Sequence, residues 1–242
     1  MVQALDEAVH KVRGKGKTLG ERLSLIADLV RDRGPDFATE VDRFVGRLEV
    51  SRAGNSAPQV GETMPAFTMP DQNGVLVSLE QILDRGPAVL VFHRGHWCPY
   101  CRLNMSAMSD IEDQIAPAQI VGISAEVSQF TRKMTADAGG KYPILTDVGA
   151  GYALSINLAI WVDEQMSAMI EGAGWDIPLY QGGGDWVLPI PAVFVLAQDG
   201  TIVARHVDPD YRRRMELDDL LKGVDLVRTQ PVVPVSRAQQ VQ

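Results

Sequence analysis

Hydrophobic positions follow two different rhythms along the chain. Through residues 1–57 they recur at helical spacing, first as Leu5, Val9 and Val12, then Leu23, Ile26 and Val30, then Phe37, Val41, Phe44, Val45 and Leu48. Thr18-Leu19-Gly20-Glu21 reads as a capping box that opens the second helix, and Gly34-Pro35 closes it. Ser51 to Pro58 breaks the pattern and reads as a linker. No catalytic cluster lies in these helices, so they are read as a docking or dimerisation arm.

From residue 58 to 228 short apolar runs alternate with amphipathic stretches. Phe67-Thr68-Met69 and Val75-Leu76-Val77 flank Pro70-Asp71-Gln72-Asn73-Gly74, a hairpin signal. Ser78 to Gln81 caps a short helix. Ala88 to Phe92 is continuously apolar and predicts a buried central strand. A helix is predicted from Pro99 to Ile115, with proline in the first turn, where a missing N–H does no harm. Strands follow at Ile120–Ile123 and Ile144–Thr146, with a helix between them from Ser124 to Ala138. A hairpin joins Ala192–Leu196 to Thr201–Arg205, and a last helix runs from Met215 to Val227. This alternation predicts an α/β fold, its sheet mostly parallel at first with an antiparallel hairpin at one edge. Residues 158–188 break the alternation and read as an insertion over the sheet or the active site, packed by Trp161, Trp175 and Trp186. Residues 229–242 read as a loose tail.

The net charge of −8 argues against nucleic acid or an anionic membrane as a partner. No apolar run is long enough to span a bilayer, and the first residues lack the basic start and apolar core of a signal peptide. The expected address is therefore the cytoplasm, where thiols are kept reduced.

That address matters because the two cysteines are Cys98 and Cys101, in Trp97-Cys98-Pro99-Tyr100-Cys101. A disulfide between them would close a tiny loop and restrict the unfolded chain little, so a stapling role is set aside. At a strand-to-helix junction unpaired N–H groups and the helix dipole favour thiolate over thiol. Cys98 is expected at the exposed helix start, with Cys101 one turn in and able to attack an adduct on Cys98. Trp97 and Tyr100 would shield the pair, and Arg94 would add positive charge. His93 and His96 supply zinc-binding atom types nearby, but structural zinc sites join two ligand pairs across a longer loop, so no metal site is assigned. No bound cofactor is called for.

In order along the chain stand Gly61-x-x-x-Pro65-x-Phe67, Phe92-His93-Arg94-Gly95-His96-Trp97-Cys98-Pro99-Tyr100-Cys101, Tyr142 to Asp147, Pro189 to Phe194, and Asp199-Gly200-Thr201-Ile202 leading to His206 to Tyr211. This series resembles the thioredoxin-fold superfamily and, within it, the peroxiredoxin-like alkyl hydroperoxide reductase/thiol-specific antioxidant family. The resemblance implies a central mixed sheet flanked by helices and a thiol-dependent antioxidant oxidoreductase. Such an enzyme acts on hydroperoxides and draws on an external thiol reductant such as a thioredoxin or glutathione system. The peroxiredoxin motif Pro-x-x-x-Thr-x-x-Cys, laid on this chain, puts the attacking cysteine at Cys101, with Cys98 in place of threonine and Arg94 in place of proline. Where the family has a peroxide-binding arginine this chain has Pro191. Proline there is the thioredoxin solution, so the Ile190–Pro191 bond is expected to be cis, and a protein disulfide is the alternative substrate.

Overall fold

The computed structural model describes residues 2–14, 16–184 and 186–228. The expected tail at 229–242 lies outside the described residues. Three helices come first: α1 Val2–Val12, α2 Leu19–Arg33 and α3 Pro35–Val50. The capping box at the start of α2 forms as the sequence predicts, Thr18 Oγ1 accepting from Glu21 N–H while the Glu21 carboxylate accepts from Thr18 N–H. Gly34 ends α2 and precedes α3, whose first residue is Pro35.

The remaining elements are β1 Thr68–Pro70, β2 Leu76–Ser78, α4 Leu79–Leu83, β3 Ala88–Phe92, α5 Pro99–Ile111, β4 Gln119–Ser124, α6 Ser128–Ala138, β5 Ile144–Thr146 and α7 Gly151–Ser155. After them come β6 Ala159–Trp161, α8 Glu164–Gly172, α9 Ile177–Tyr180, β7 Val187–Pro189, β8 Ala192–Leu196, β9 Ile202–Val207 and α10 Leu217–Arg228. Five strands form the central sheet in the order β5-β4-β3-β8-β9. β3 lies in the middle, parallel to β4 and antiparallel to β8, and all five of its side chains are buried. The parallel half comes from the helical crossovers through α5 and α6, and the antiparallel half from the β8–β9 hairpin.

Helices α1 and α2 pack on α5, and α2 and α1 on each other. Their apolar faces, including Leu5, Val9, Leu23 and Ile26, are buried in the same core as the sheet. The helices read from sequence as a docking or dimerisation arm thus bury their apolar faces against their own chain. Among the described residues no helix is long and apolar enough to cross a membrane.

Four local expectations are corrected. Helix α5 stops at Ile111, whose φ of −112° and ψ of 0° leave the α-helical range, and a 3₁₀ turn at Glu112–Gln114 follows. Helix α6 begins at Ser128, since Ser124 completes β4 by pairing with Thr146. Glu126 consequently sits in a loop. The Ile190–Pro191 bond is trans; among the described residues the cis bond is Ala116–Pro117. The chain runs extended from β7 into β8, with Ile190 N–H donating to Leu158 O, a path the trans bond provides. Of the three tryptophans expected to pack the insertion, Trp175 is the one in the core. It contacts Phe37 and Trp97, with ring centroids 6.1 and 5.8 Å away, whereas Trp161 is exposed.

Candidate active site

The site is built where β3 ends. His93 to Trp97 form a loop, Cys98 caps α5, Pro99 is its first residue and Cys101 its third. Cys98 N–H returns to Gly95 O, and the loop needs glycine at 95, where φ is +142° and a Cβ would lie 2.6 Å from the Glu126 carboxyl. Both cysteines are free thiols.

Neither sulfur is exposed: Cys98 is 1% accessible and Cys101 0%. The expected exposed position of Cys98 is therefore corrected. Leu5, Val30 and Phe37, one from each N-terminal helix, join Met166, Ile170 and Trp175 of the insertion to form a roof above it. Beneath that roof Arg94, Trp97, Pro99, Tyr100 and Tyr211 complete a cavity of about 20 Å³, enough for one water-sized molecule. Trp97 and Tyr100 thus stand where shielding was expected, with Tyr100 nearly fully buried.

The two sulfurs differ in electrostatic setting. Cys101 Sγ accepts from the Arg94 backbone N–H at 3.4 Å and from Arg214 Nη2 at 3.5 Å. Burial opposes ionisation of Cys101. The hydrogen bond from Cys98, the Arg214 and Arg94 charges and the Arg94 N–H outweigh it and bring its pKa down to about 5. Burial, and then the hydrogen bond and charge of Cys101, push Cys98 far in the opposite direction. The two shifts run in opposite directions and favour the charge on Cys101 and the proton on Cys98.

Arg94 acts through two parts. Its N–H meets the sulfur, while its guanidinium lies between Trp97 and Tyr211, 4.7 and 3.8 Å from the ring centroids. Tyr211 meets Tyr100 edge to face at 5.4 Å. Arg214 is 92% buried by its own surroundings at 8% accessibility, and its guanidinium also donates to Tyr211 O and Arg213 O. Pro191 precedes Ala192, which pairs with Phe92, so it flanks the start of the cysteine loop across the sheet.

The two histidines do not pair with the sulfurs. His96 Nε2 bonds Asp137 Oδ2 at 2.8 Å, and Asp137 also meets Arg102 at 3.0 Å. His93 is fully buried; burial, then the Arg214 and His96 charges, bring its pKa down to about 3, so its ring is neutral. Among the described residues no group of three or more His, Cys, Asp or Glu side chains could hold a metal ion.

Sequence reasoning missed Arg214 and Glu126. Arg214 ends the run Arg212-Arg213-Arg214 just past the Tyr211 motif, but nothing in the sequence separates it from its neighbours. Glu126 was hidden by an expected helix start two residues before it.

The AhpC/TSA family profile matches residues 60–205. A protein of Mycobacterium tuberculosis strain H37Rv, provisionally named a peroxiredoxin, is 31% identical over 91 residues. The match takes in 37% of this chain and 59% of that protein, so the chain spans about three fifths of the length of the curated relatives it matches. Among solved structures, peroxidoxin BcpB from Mycobacterium tuberculosis superposes with a TM-score of 0.54 at 21% identity, over 71% of this chain and 99% of that one. A cysteine mutant of peroxiredoxin 6 from Arenicola marina gives 0.55 at 18% identity, over 71% and 74%. These likenesses carry the fold, and the profile match covers more than half of the sequence, including both cysteines: the chain belongs to the AhpC/TSA family and has its thioredoxin-like fold.

Proposed function

We propose that the protein is a thiol peroxidase in which Cys101 attacks and Cys98 resolves. The Cys101 thiolate attacks the terminal oxygen of a hydroperoxide. An S–O bond forms, the O–O bond breaks, and the alkoxide or hydroxide leaves and takes up a proton. Cys98 then attacks the Cys101 sulfenic acid, its own proton goes to the departing hydroxide, and water leaves as the disulfide forms. An external thiol reductant returns the pair to its starting state.

The observation that carries this reading is the pair of donors on Cys101 Sγ, Arg94 N–H and Arg214 Nη2. They hold charge on the cysteine that matches the attacking position of the family, and Arg214 supplies the cation that Pro191 does not. The cavity of about 20 Å³ reaches the pair at Cys98 and is too small for a protein disulfide, which supports a small oxidant.

Stopped-flow tryptophan fluorescence tests it, since Trp97 stands beside Cys98 in the chain and 5.8 Å from Trp175. Reduced protein mixed with hydrogen peroxide should change fluorescence with a second-order rate well above that of free cysteine thiolate. A rate no faster than free thiolate, together with turnover of insulin disulfides, would establish disulfide exchange instead.

A further inference from the structure

Glu126 is a fully buried carboxyl with half of its hydrogen-bonding capacity unused. It lies between β4 and α6, where its carbonyl accepts from Thr146 Oγ1 and its N–H meets Ser124 Oγ, so its position is fixed from both sides. Oε2 accepts from His96 N–H at 2.7 Å, within the loop that carries the cysteines. Oε1 is buried without a hydrogen-bond partner. Gly95 lets this loop lie directly on the carboxyl. On its other side Glu126 lines a cleft of about 170 Å³. The titratable groups facing that cleft are Asp6 of α1, His96, Arg102 of α5, Lys133 of α6 and Tyr180 of α9. Arg102 pairs with Asp6 and Asp137, and His96 pairs with Asp137, leaving Lys133 as the cation nearest in effect to Glu126.

Proton accounting gives this carboxyl a role. Reducing a hydroperoxide to an alcohol and water consumes two electrons and two protons. Both electrons come from the sulfurs. A pair poised as thiolate and thiol holds only one proton, that of Cys98. We propose that Glu126 holds the second, releasing it when the thiolate charge is consumed, in balance with the proton that the departing alkoxide or hydroxide takes up, and taking one back when the disulfide is reduced. Reduced protein, with Cys101 as thiolate and Glu126 as acid, then has the same charge as oxidised protein with a disulfide and Glu126 as carboxylate. The cycle needs no net proton from solvent at the oxidation step. Burial first, with the Cys101 charge adding to it against the His96 and Trp97 amides, raises Glu126 to about 8, which keeps it protonated near neutrality while the thiolate is present. Glu126 acts through the thiolate and is a positioning and proton-holding residue, not one that touches substrate. This inference rests on Cys101 being the thiolate.

The test counts protons in a single turnover near neutral pH, in weak buffer with an indicator dye. Wild type should take up measurably fewer protons per disulfide formed than Glu126→Gln, which should take up close to one, provided thiolate absorbance at 240 nm shows Cys101 still ionised in the variant. Equal uptake in the two proteins would overturn the proposal. Infrared difference spectra of wild type alone give a second reading that needs no variant. Oxidation should remove a carboxylic-acid C=O band and add carboxylate bands; an unchanged carboxyl region would overturn the proposal. Oxidation by a small disulfide whose product thiols are protonated at that pH gives the same proton count as oxidation by peroxide. A protein that is inert to peroxide but shows the expected count with the disulfide would therefore lose the peroxidase reading and keep this one.

Discussion

The Arg214 guanidinium meets Cys101 Sγ at 3.5 Å across 113 residues of sequence. Arg214 belongs to the segment between β9 and α10, and that segment is held by the N-terminal helices. Arg212 Nη1 bonds Asp42 of α3 at 2.5 Å, and Arg213 Nη1 reaches Glu49 of α3 at 3.3 Å. Glu216 accepts from Leu19 N–H and Gly20 N–H at 3.1 and 2.7 Å, at the start of α2. The helical arm therefore serves the site twice, as roof over Cys98 and as anchor for the cation beside Cys101.

Replacing Arg214 by methionine removes that cation while keeping bulk. An opposite charge at this distance lowers an acid's pKa by about 1–3 units, so its loss should move the Cys101 titration upward from about 5 by that order. The thiolate absorbance at 240 nm followed against pH measures the shift. Peroxide reaction at neutral pH should slow by roughly tenfold or more, as both thiolate and local cation are lost. An unmoved titration midpoint would remove Arg214 from the account.

Glu216→Ala strips two amide partners from the first turn of α2, which Thr18 alone then caps. A loss of about 1 kcal/mol is expected in urea unfolding. Because Glu216 lies two residues from Arg214, the variant should also react more slowly with peroxide. A stable, fully active variant would show that the arm does not hold the cation in place.

Much of this architecture was legible in the chain. Ala88–Phe92 announced the central strand because a strand buried on both faces must be apolar throughout. Pro99 after Cys98 marked the start of α5, since proline is suited to a helix's first turn. The periodic faces of α1 to α3 gave three helices, but periodicity states that a face is buried without stating against what. So the burial of Cys98 under Leu5, Val30 and Phe37 was invisible. It depends on the docking of elements more than sixty residues away, and no local pattern encodes such a contact. Arg214 and Glu126 were hidden for the same reason, their roles being set by tertiary placement and not by residue type or spacing.

Gly95→Ala should damage stability and chemistry together. At φ +142° a side chain is strained, and the new Cβ would sit 2.6 Å from the Glu126 carboxyl and 2.7 Å from Trp97. A loss of about 2 kcal/mol or more is expected in chemical denaturation. Slower alkylation of Cys101 should accompany it, because the Arg94 N–H that bonds its sulfur is carried by the same loop.

The Cys101 titration also sets a pH dependence of stability. Its pKa falls from 9.0 to about 5 on folding, so the unfolded chain binds more protons between those values. The contribution is present in full above the unfolded value and is lost as pH falls through the folded one. The stability of reduced wild type relative to reduced Cys101→Ser should therefore grow from about pH 5 towards pH 9. Paired urea titrations at several pH values measure it. A difference that stays constant with pH, or shrinks as pH rises, would contradict a buried thiolate at this position.

The most direct test is to trap the first adduct. Reduced Cys98→Ser and Cys101→Ser are each mixed with one equivalent of hydrogen peroxide, captured with a sulfenic-acid reagent and located by peptide mass spectrometry. The account predicts rapid sulfenic acid on Cys101 in Cys98→Ser and a sluggish, unlabelled Cys98 in Cys101→Ser. Fast labelling of Cys98 with Cys101→Ser, alongside an inert Cys98→Ser, would reverse the roles of the two sulfurs.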